Sequence, residues 1–163
     1  MDIRVRFWEW AVCSVADDPT PPTGQGASLV TARFDLPATA SQVAPARHRV
    51  RQQLDTWGQP LDEATTTTVE LIVSELVTNA IVHAQGSRIG LALQIASRPG
   101  RRRLRVEVSD GGHHLPGRAR PATDDVESGR GLALVEALSV RSGAIPEAHG
   151  KTCWAEVDLP EAS

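Results

Sequence analysis

Hydrophobic residues between positions 41 and 57 recur every three or four residues, which is the spacing of one face of an α-helix. Ser41 is a suitable N-cap residue, because its side-chain oxygen can accept a backbone N–H of the first turn. Gly58 is suited to end the helix, since glycine adopts the conformation that a helix C-terminus requires. The pattern therefore predicts a helix from Ser41 to about Trp57, with an inner stripe formed by Val43, Ala46, Val50, Leu54 and Trp57.

A second helical pattern runs from about Asp62 to Ala84 and carries a polar stripe beside its apolar one. Glu75, Asn79 and His83 lie four residues apart on one flank, and positions four apart on a helix are rotated by only about 40°. The three side chains therefore lie in line beside the core, as either a plain polar flank or part of a site. The predicted core positions of this helix are Val69, Ile72, Val73, Leu76 and Ala80.

After Gly86 the pattern changes from helical to alternating, which indicates β-strands. Leu104, Val106 and Val108 share one face of a strand. Period two places Asp110 on that same inward face, where a carboxylate is costly unless it has a partner. Strands are predicted at residues 29–34, 89–95, 104–110, 140–145 and 151–159.

The order of these elements predicts the fold class. Residues 111–128 are glycine, proline and polar residues without periodicity, so they are predicted to form a long loop. Gly129, Arg130 and Gly131 then open a short helix with the sequence LALVEALS. Strands in hairpins with helices grouped elsewhere are typical of an α+β protein, here a two-layer α/β sandwich.

Length, charge and cysteine content narrow the function classes. The chain has 163 residues, enough for one domain with a real core. Its net charge of −3 gives no indication of direct binding to nucleic acid or to an anionic membrane. No apolar run approaches the ~20 residues that span a bilayer, and two distant cysteines favour a cytoplasmic location. The basic run Arg101–Arg103 is interpreted as part of a solvated hairpin turn.

Residues 16–28 are rich in proline, glycine, serine and threonine, a composition typical of a flexible linker. Residues 1–28 are therefore predicted to be an N-terminal extension and linker without a catalytic part. Trp8 and Trp10 alternate with other residues of this extension, which leaves a docking strand as the other interpretation. Residues 29–160 are predicted to form the folded domain.

One motif resembles the end of a P-loop, the run from Gly150 to Thr152. The glycine that a P-loop needs five residues earlier is Ile145 here, and the residues that follow alternate like a strand. Lys151 is the only lysine in the chain, and it belongs neither to a P-loop nor to the strand motif of eukaryotic-type kinases. Both of those kinase and NTPase classes are therefore excluded.

A second motif, from Asp110 to His114, suggests a zinc site because Asp110, His113 and His114 are of residue types that can act as zinc ligands. No further cysteine or carboxylate at a suitable spacing completes such a site. A zinc site is therefore the less favoured interpretation of this segment.

The helix flank, the strand-end turn and the helix-start glycines are each weak signals alone, but together they supply the parts of an ATP site. The glycines after Asp110 leave room for a flat ring, and the Asp110 carboxylate can accept a hydrogen bond from an amine of that ring. Glycines at a helix N-terminus favour phosphate, because free N–H groups and the helix dipole attract anions. Asn79 offers an oxygen ligand to Mg²⁺, and Glu75 offers a general base.

These segments carry a resemblance to a known family. SELVTNAIVHA resembles the N-box of the GHKL superfamily, VEVSDGG its first glycine box and SGRGLALVEAL its second, while GKTCWAEVDL resembles the closing strand. Within the superfamily, residues 29–160 are most similar to the small anti-sigma-factor serine/threonine kinases and their stand-alone bacterial relatives. The resemblance implies the Bergerat ATP-binding fold, with a mixed, mostly antiparallel sheet.

The resemblance also implies a role for each matching residue. Asn79 is the implied Mg²⁺ ligand, Glu75 the catalytic acid/base residue, and Asp110 the residue that binds the adenine amino group. Family members carry a lid between the glycine boxes, and residues 113–128 occupy that place, with His114 where a glycine is common. The implied nucleotide-binding residues are Asn79, Asp110, Gly112, Gly129, Arg130, Gly131, Leu132 and Thr152.

As a function, the resemblance implies an ATP- and Mg²⁺-dependent serine/threonine protein kinase that binds and phosphorylates a regulatory partner. That partner would be an anti-sigma-factor antagonist, a sigma factor or both. Related anti-sigma kinases act as dimers, so a homodimer of this chain is also possible under the resemblance. The alternative is a non-catalytic, ATP-gated binding module that sequesters a sigma factor or another regulator. A third interpretation is a partner-recognition fragment that binds no nucleotide, and the intact motifs weigh against it.

Overall fold

Five strands form one sheet in the computed structural model, which describes residues 28–113 and 126–160, with side chains except at 126–130. Nearly all of the predicted N-terminal extension, and most of the implied lid with His114, lie outside the described residues. The strands are β1 (Ser28–Pro37), β2 (Arg88–Arg98), β3 (Arg101–Asp110), β4 (Arg141–Glu147) and β5 (Gly150–Leu159). Their order across the sheet is β1-β2-β3-β5-β4.

Every pair of neighbouring strands in the described part of the chain is antiparallel. β2 and β3 join at a tight turn in which Gly100 has a φ of 72°, and β4 and β5 also follow each other as a hairpin. A hairpin makes its two strands antiparallel. The parallel component that the resemblance implied is therefore wrong for these strands, whereas the predicted α+β, two-layer class is confirmed.

The described helices pack on one face of the sheet. They are α1 (Val43–Thr56), α2 (Glu63–His83) and α3 (Val126–Leu138). Asp62 caps α2, where its carboxylate accepts the N–H of Thr65 at 2.7 Å. This hydrogen bond lowers the pKa of Asp62, because the N–H stabilises the ionised carboxylate. The predicted second helix is confirmed. Within the described residues, no helix combines the length and hydropathy that a bilayer-spanning segment requires.

The predicted N-cap at Ser41 is wrong. Ser41 lies within a 3₁₀ turn over Ala40–Gln42 that precedes α1, so it is not the residue at the N-cap of that helix. The hydroxyl groups of Ser41 and Thr39 are instead hydrogen-bonded to each other at 3.1 Å. Gln42 stands at the N-cap of α1 and makes no side-chain capping bond.

The core lies between the inner face of the sheet and the helices, and its helical part follows the predicted stripes. Val43 and Trp57 are the exceptions, because they are only partly buried. The fully buried helical positions among the described side chains are Ala46, Val50, Leu54, Val69, Ile72, Val73, Leu76, Val77, Ala80 and Val135. This packing holds α2 against β3 and β5. The polar flank of α2, with Glu75 and Asn79, therefore lies next to the ends of these two strands.

The outer face of the sheet carries a network of arginines and carboxylates. It includes a residue of the run Arg101–Arg103, which was predicted to be a solvated turn. These arginines lie in β3, and Arg103 donates to Asp158 at 2.8 Å and to Glu156 at 3.1 Å. Arg105 also donates to Glu156, at 3.0 Å. The interpretation as a solvated turn is therefore wrong for Arg103, because carboxylates of β5 lie opposite it in the sheet.

Candidate functional site

One end of the sheet, beside the C-terminal half of α2, brings residues of the predicted motifs together. Glu75 and Asn79 reach this end from α2, Asp110 from the end of β3, and Gly131 from α3. The helical spacing of the sequence explains why Glu75 and Asn79 lie here. The apolar stripe of α2 packs on the sheet, and the polar flank lies directly beside that stripe.

Asp110 is buried at the end of β3, on the inner face that its strand period predicts. Its Oδ1 atom accepts the backbone N–H of Gly112 at 2.7 Å and the Lys151 Nζ at 3.0 Å. Its Oδ2 atom is buried and has no hydrogen-bond partner among the described residues. An unpaired buried acceptor is costly, so this atom marks a place where a ligand with a donor group fits.

Lys151 is a residue beside Asp110 that the sequence interpretation did not place there. It lies directly opposite Asp110 in the β3–β5 pairing, and its side chain is 1% exposed. The signal was present, because Cys153, Ala155 and Val157 are inward residues of β5 and period two places Lys151 on the same face. The inward carboxylate and the inward ammonium are each other's partners.

Close packing explains the two glycines that follow Asp110. A Cβ atom at Gly112 would overlap the backbone carbonyl of His83 at the end of α2. A Cβ atom at Gly111 would lie 2.7 Å from the carbonyl of Gln85. Glycine is therefore required here, since any side chain would push the end of β3 away from the end of α2.

Asn79 reaches from α2 to β5, where its Nδ2 atom donates to Cys153 Sγ at 3.6 Å. Burial raises the pKa of the Cys153 thiol, so the sulfur stays protonated and neutral at neutral pH. With Nδ2 engaged in this way, Asn79 keeps its Oδ1 atom for another partner. A carbonyl oxygen of this kind suits Mg²⁺.

Glu75 lies against Gly131, so the N-box helix and the second glycine box are in contact. A Cβ atom at Gly131 would overlap Glu75 Oε2. The Glu75 side chain is partly buried, and among the described residues it makes no hydrogen bond or ion pair. The described contacts therefore leave its carboxylate unengaged.

The second glycine box lies within a helix that begins earlier than predicted. The prediction that Gly129 to Gly131 open the helix is wrong, because α3 begins at Val126. Helical N–H groups beyond the first turn bond to carbonyls within the helix. The backbone N–H groups of Arg130, Gly131 and Leu132 therefore lie inside α3 in this structure.

Thr152 is a predicted site residue whose side chain lies on the opposite face of the sheet from Asp110. Alternation along β5 turns it to the face opposite Lys151 and Cys153. Its hydroxyl donates to Glu147 Oε1 at 2.6 Å. Lys151, and not Thr152, lies beside Asp110.

We expect Gly131→Ala to leave the protein folded but to displace Glu75. Alanine favours a helix interior by about 1 kcal/mol over glycine, and the new methyl group meets the end of a flexible side chain. Urea unfolding of Gly131→Ala, Glu75→Ala and the double variant measures the contact. The two changes should be coupled by about 0.5–3 kcal/mol, as residues in contact are. Strictly additive effects would show that the contact does not exist.

The comparisons with known proteins agree with this arrangement. Residues 36–154 match the family model of the histidine kinase-like ATPase domain. The chain belongs to this family. Membership confirms the GHKL part of the resemblance, and with it an ATP-binding domain of the kinase-like type.

The histidine kinase-like ATPase fold is also found in a solved structure. The crystal structure of the RsbU and RsbW domains of Rv1364c from Mycobacterium tuberculosis matches with a TM-score of 0.60 and 22% identity. The match covers 82% of this chain but only 34% of that chain. At this identity the likeness shows the fold alone. No curated protein matches the chain.

Proposed function

We propose that the protein is an ATP-dependent serine/threonine protein kinase of the anti-sigma type. The observation that carries the proposal is the buried Asp110 Oδ2 atom, an acceptor without a partner among the described residues. In the GHKL resemblance, the same position holds the carboxylate that binds the adenine amine. A purine amine would supply the missing donor.

The surrounding residues fit a nucleotide with its metal. Asp110 would bind the base, and the Asn79 Oδ1 atom would help to hold Mg²⁺. The phosphate side is proposed at the second glycine box, at Gly129, Arg130, Gly131 and Leu132. Binding there requires the start of α3 to unwind, because the N–H groups of Arg130, Gly131 and Leu132 lie inside that helix. When bound, Mg·ATP supplies the phosphoryl group and the charge neutralisation that its transfer requires.

Glu75 is the proposed general base. It would take the proton of the substrate hydroxyl onto its carboxylate as the hydroxyl oxygen bonds to the γ-phosphorus. The bond from that phosphorus to the β–γ bridging oxygen would break in the same step, and ADP would leave. The side chain is suited to this role because no described residue holds it in a hydrogen bond. Its neighbour Gly131 provides a surface without a side chain beside the carboxylate.

The proposed phosphate acceptor is a serine or threonine of a regulatory protein, of the anti-sigma-factor-antagonist class, and a sigma factor is a second proposed partner. A bacterial cytoplasmic location and a homodimer belong to the same proposal. The family match supports the nucleotide part, while the partner class rests on the resemblance of the motifs.

ATP binding tests the first half of the proposal. Calorimetry should detect Mg²⁺-dependent binding at millimolar ATP or below. Asp110→Asn should weaken ATP by about 1.5–3 kcal/mol, because the amide replaces a charged acceptor. Binding of inorganic tripolyphosphate serves as the control and should change little. A folded Asp110→Asn protein that binds ATP as tightly as wild type would remove Asp110 from the site.

Phosphate transfer tests the second half. A pull-down with and without Mg·ATP identifies the partner, and transfer of γ-phosphate to that partner is then measured. Transfer to serine or threonine supports the kinase. A partner that binds only in the presence of ATP and receives no phosphate would support the ATP-gated binding module instead.

A further inference from the structure

The side-chain amide of Asn79 has two ends, and the described residues engage only one of them. Its Nδ2 atom donates to Cys153 Sγ at 3.6 Å, which connects α2 to β5. Its Oδ1 atom has no partner among the described residues. In this orientation the amide nitrogen faces the strand, and the oxygen is left for a ligand.

The sulfur of Cys153 is the acceptor that the inner face of the sheet offers to this amide. Cys153 is an inward residue of β5 and is 2% exposed. Val108 of β3 and Ala144 of β4 lie opposite it in the sheet. The side chains of valine and alanine cannot accept a hydrogen bond, whereas a thiol sulfur is a weak acceptor.

The two orientations of a carboxamide serve a cation differently. With the nitrogen directed to Cys153, the carbonyl oxygen of Asn79 is free to bind Mg²⁺, which takes oxygen ligands. With the amide reversed, its N–H donors would face the cation and repel it. Metal binding at Asn79 therefore requires the orientation that directs Nδ2 to the sulfur.

We propose that Cys153 is a positioning residue, which sets the orientation of the Asn79 amide for Mg²⁺. Without an acceptor at position 153, the metal-binding orientation would leave Nδ2 without a partner between helix and sheet, which costs free energy. The sulfur removes this cost. The inference rests on the proposed function, in which Asn79 is the Mg²⁺ ligand.

The opposing explanation is that the contact only ties α2 to β5. Removing the sulfur would then lower the stability of the fold but leave the effect of Mg²⁺ on ATP binding unchanged. The magnesium preference separates the two explanations. It is defined as the Kd of ATP in EDTA divided by the Kd of ATP in Mg²⁺.

Calorimetry of the wild-type protein and of Cys153→Ala measures the magnesium preference. We expect it to fall by about three- to tenfold in Cys153→Ala, which corresponds to one lost hydrogen bond. Urea unfolding is recorded separately, because alanine also leaves a space in the core. If Cys153→Ala does not fold, Cys153→Val replaces it, since valine fills the space and also lacks an acceptor.

The results separate this inference from the proposed function. An unchanged magnesium preference in a folded variant that binds ATP would overturn the inference and leave the proposed function intact. A wild-type protein that binds no ATP with or without Mg²⁺ would overturn both.

The Asn79→Asp variant supplies the matched control. A carboxylate still offers oxygen to Mg²⁺, but it has no N–H and its two oxygen atoms are equivalent, so Cys153 has no orientation to set. In the Asn79→Asp background, Cys153→Ala should therefore change the magnesium preference by less than about twofold. An equal fall in both backgrounds would show that alanine acts through the space it leaves, and would overturn the inference. If Asn79→Asp abolishes ATP binding, Cys153→Ala compared with the wild type decides alone.

Discussion

Phosphate transfer to the protein partner is expected to fall by about 10²–10⁴-fold in Glu75→Gln, the range typical of a lost general base. Glutamine keeps the size and hydrogen-bonding capacity of the side chain but cannot take the proton of the substrate hydroxyl. ATP affinity should stay close to that of the wild type, because a base acts chiefly in the transition state. Single-turnover transfer and calorimetry on the same preparation measure the two quantities.

The same helix offers a matched control. Glu70 of α2 forms an ion pair with Arg51, and the two side chains are 32% and 54% exposed. Glu70→Gln should leave transfer and ATP binding unchanged, since it removes the same charge from the same helix away from Gly131. Transfer at the wild-type rate in Glu75→Gln would exclude Glu75 as the base. Loss of ATP binding in that variant would assign it a binding role instead.

Lys151→Met is expected to lower the free energy of unfolding by about 3–5 kcal/mol, the usual effect of removing one partner of a buried ion pair. Both side chains of this pair are essentially unexposed, at 1% for Lys151 and 0% for Asp110. The variant leaves the carboxylate in the interior without its counter-charge. Urea unfolding monitored by circular dichroism gives the difference.

A second substitution should restore most of this loss. Asp110→Asn combined with Lys151→Met removes both charges, while the asparagine oxygen can still accept the Gly112 N–H. Replacing a buried ion pair by neutral groups is often close to neutral for stability. The exposed Arg51 provides the control, since Arg51→Met should cost at most about 1 kcal/mol. Equal losses for Lys151→Met and Arg51→Met would mean that the buried pair contributes nothing specific.

Periodicity was sufficient to predict the elements that build the candidate site. The spacing of Val69, Ile72, Val73 and Leu76 fixed the buried face of α2, and with it the flank that carries Asn79. Alternation along β3 likewise placed Asp110 on the inner face. These properties depend only on the geometry of one helix and one strand, so they can be inferred without knowing the neighbours.

The pairing of strands that are distant in the sequence could not be predicted from periodicity. Alternation also turns Lys151 inward, but only the β3–β5 register places it opposite Asp110. The same register places Asp158 opposite Arg103, which a basic run after a turn does not indicate. A register depends on the packing of the whole sheet, and no local pattern encodes it.

Helix boundaries were difficult for a different reason. The glycines at 129 and 131 indicated a helix start, because glycine disfavours helix interiors. In the structure α3 begins at Val126 and runs through both of them, and the absent side chain at Gly131 accommodates Glu75. A requirement for close packing between helices therefore overrides the local preference.

The burial of Lys151 also determines how the folded chain responds to amine chemistry. Acetylation, methylation and lysine-directed crosslinking all act on side-chain amines, and this sequence contains a single lysine that is 1% exposed. Reagents of this kind therefore find no accessible lysine on the native surface, and modification of Lys151 requires the paired ends of β3 and β5 to open. The labelling rate of the Lys151 amine thus becomes a measure of local opening at this end of the sheet. A molecule that binds to Asp110 should lower this rate.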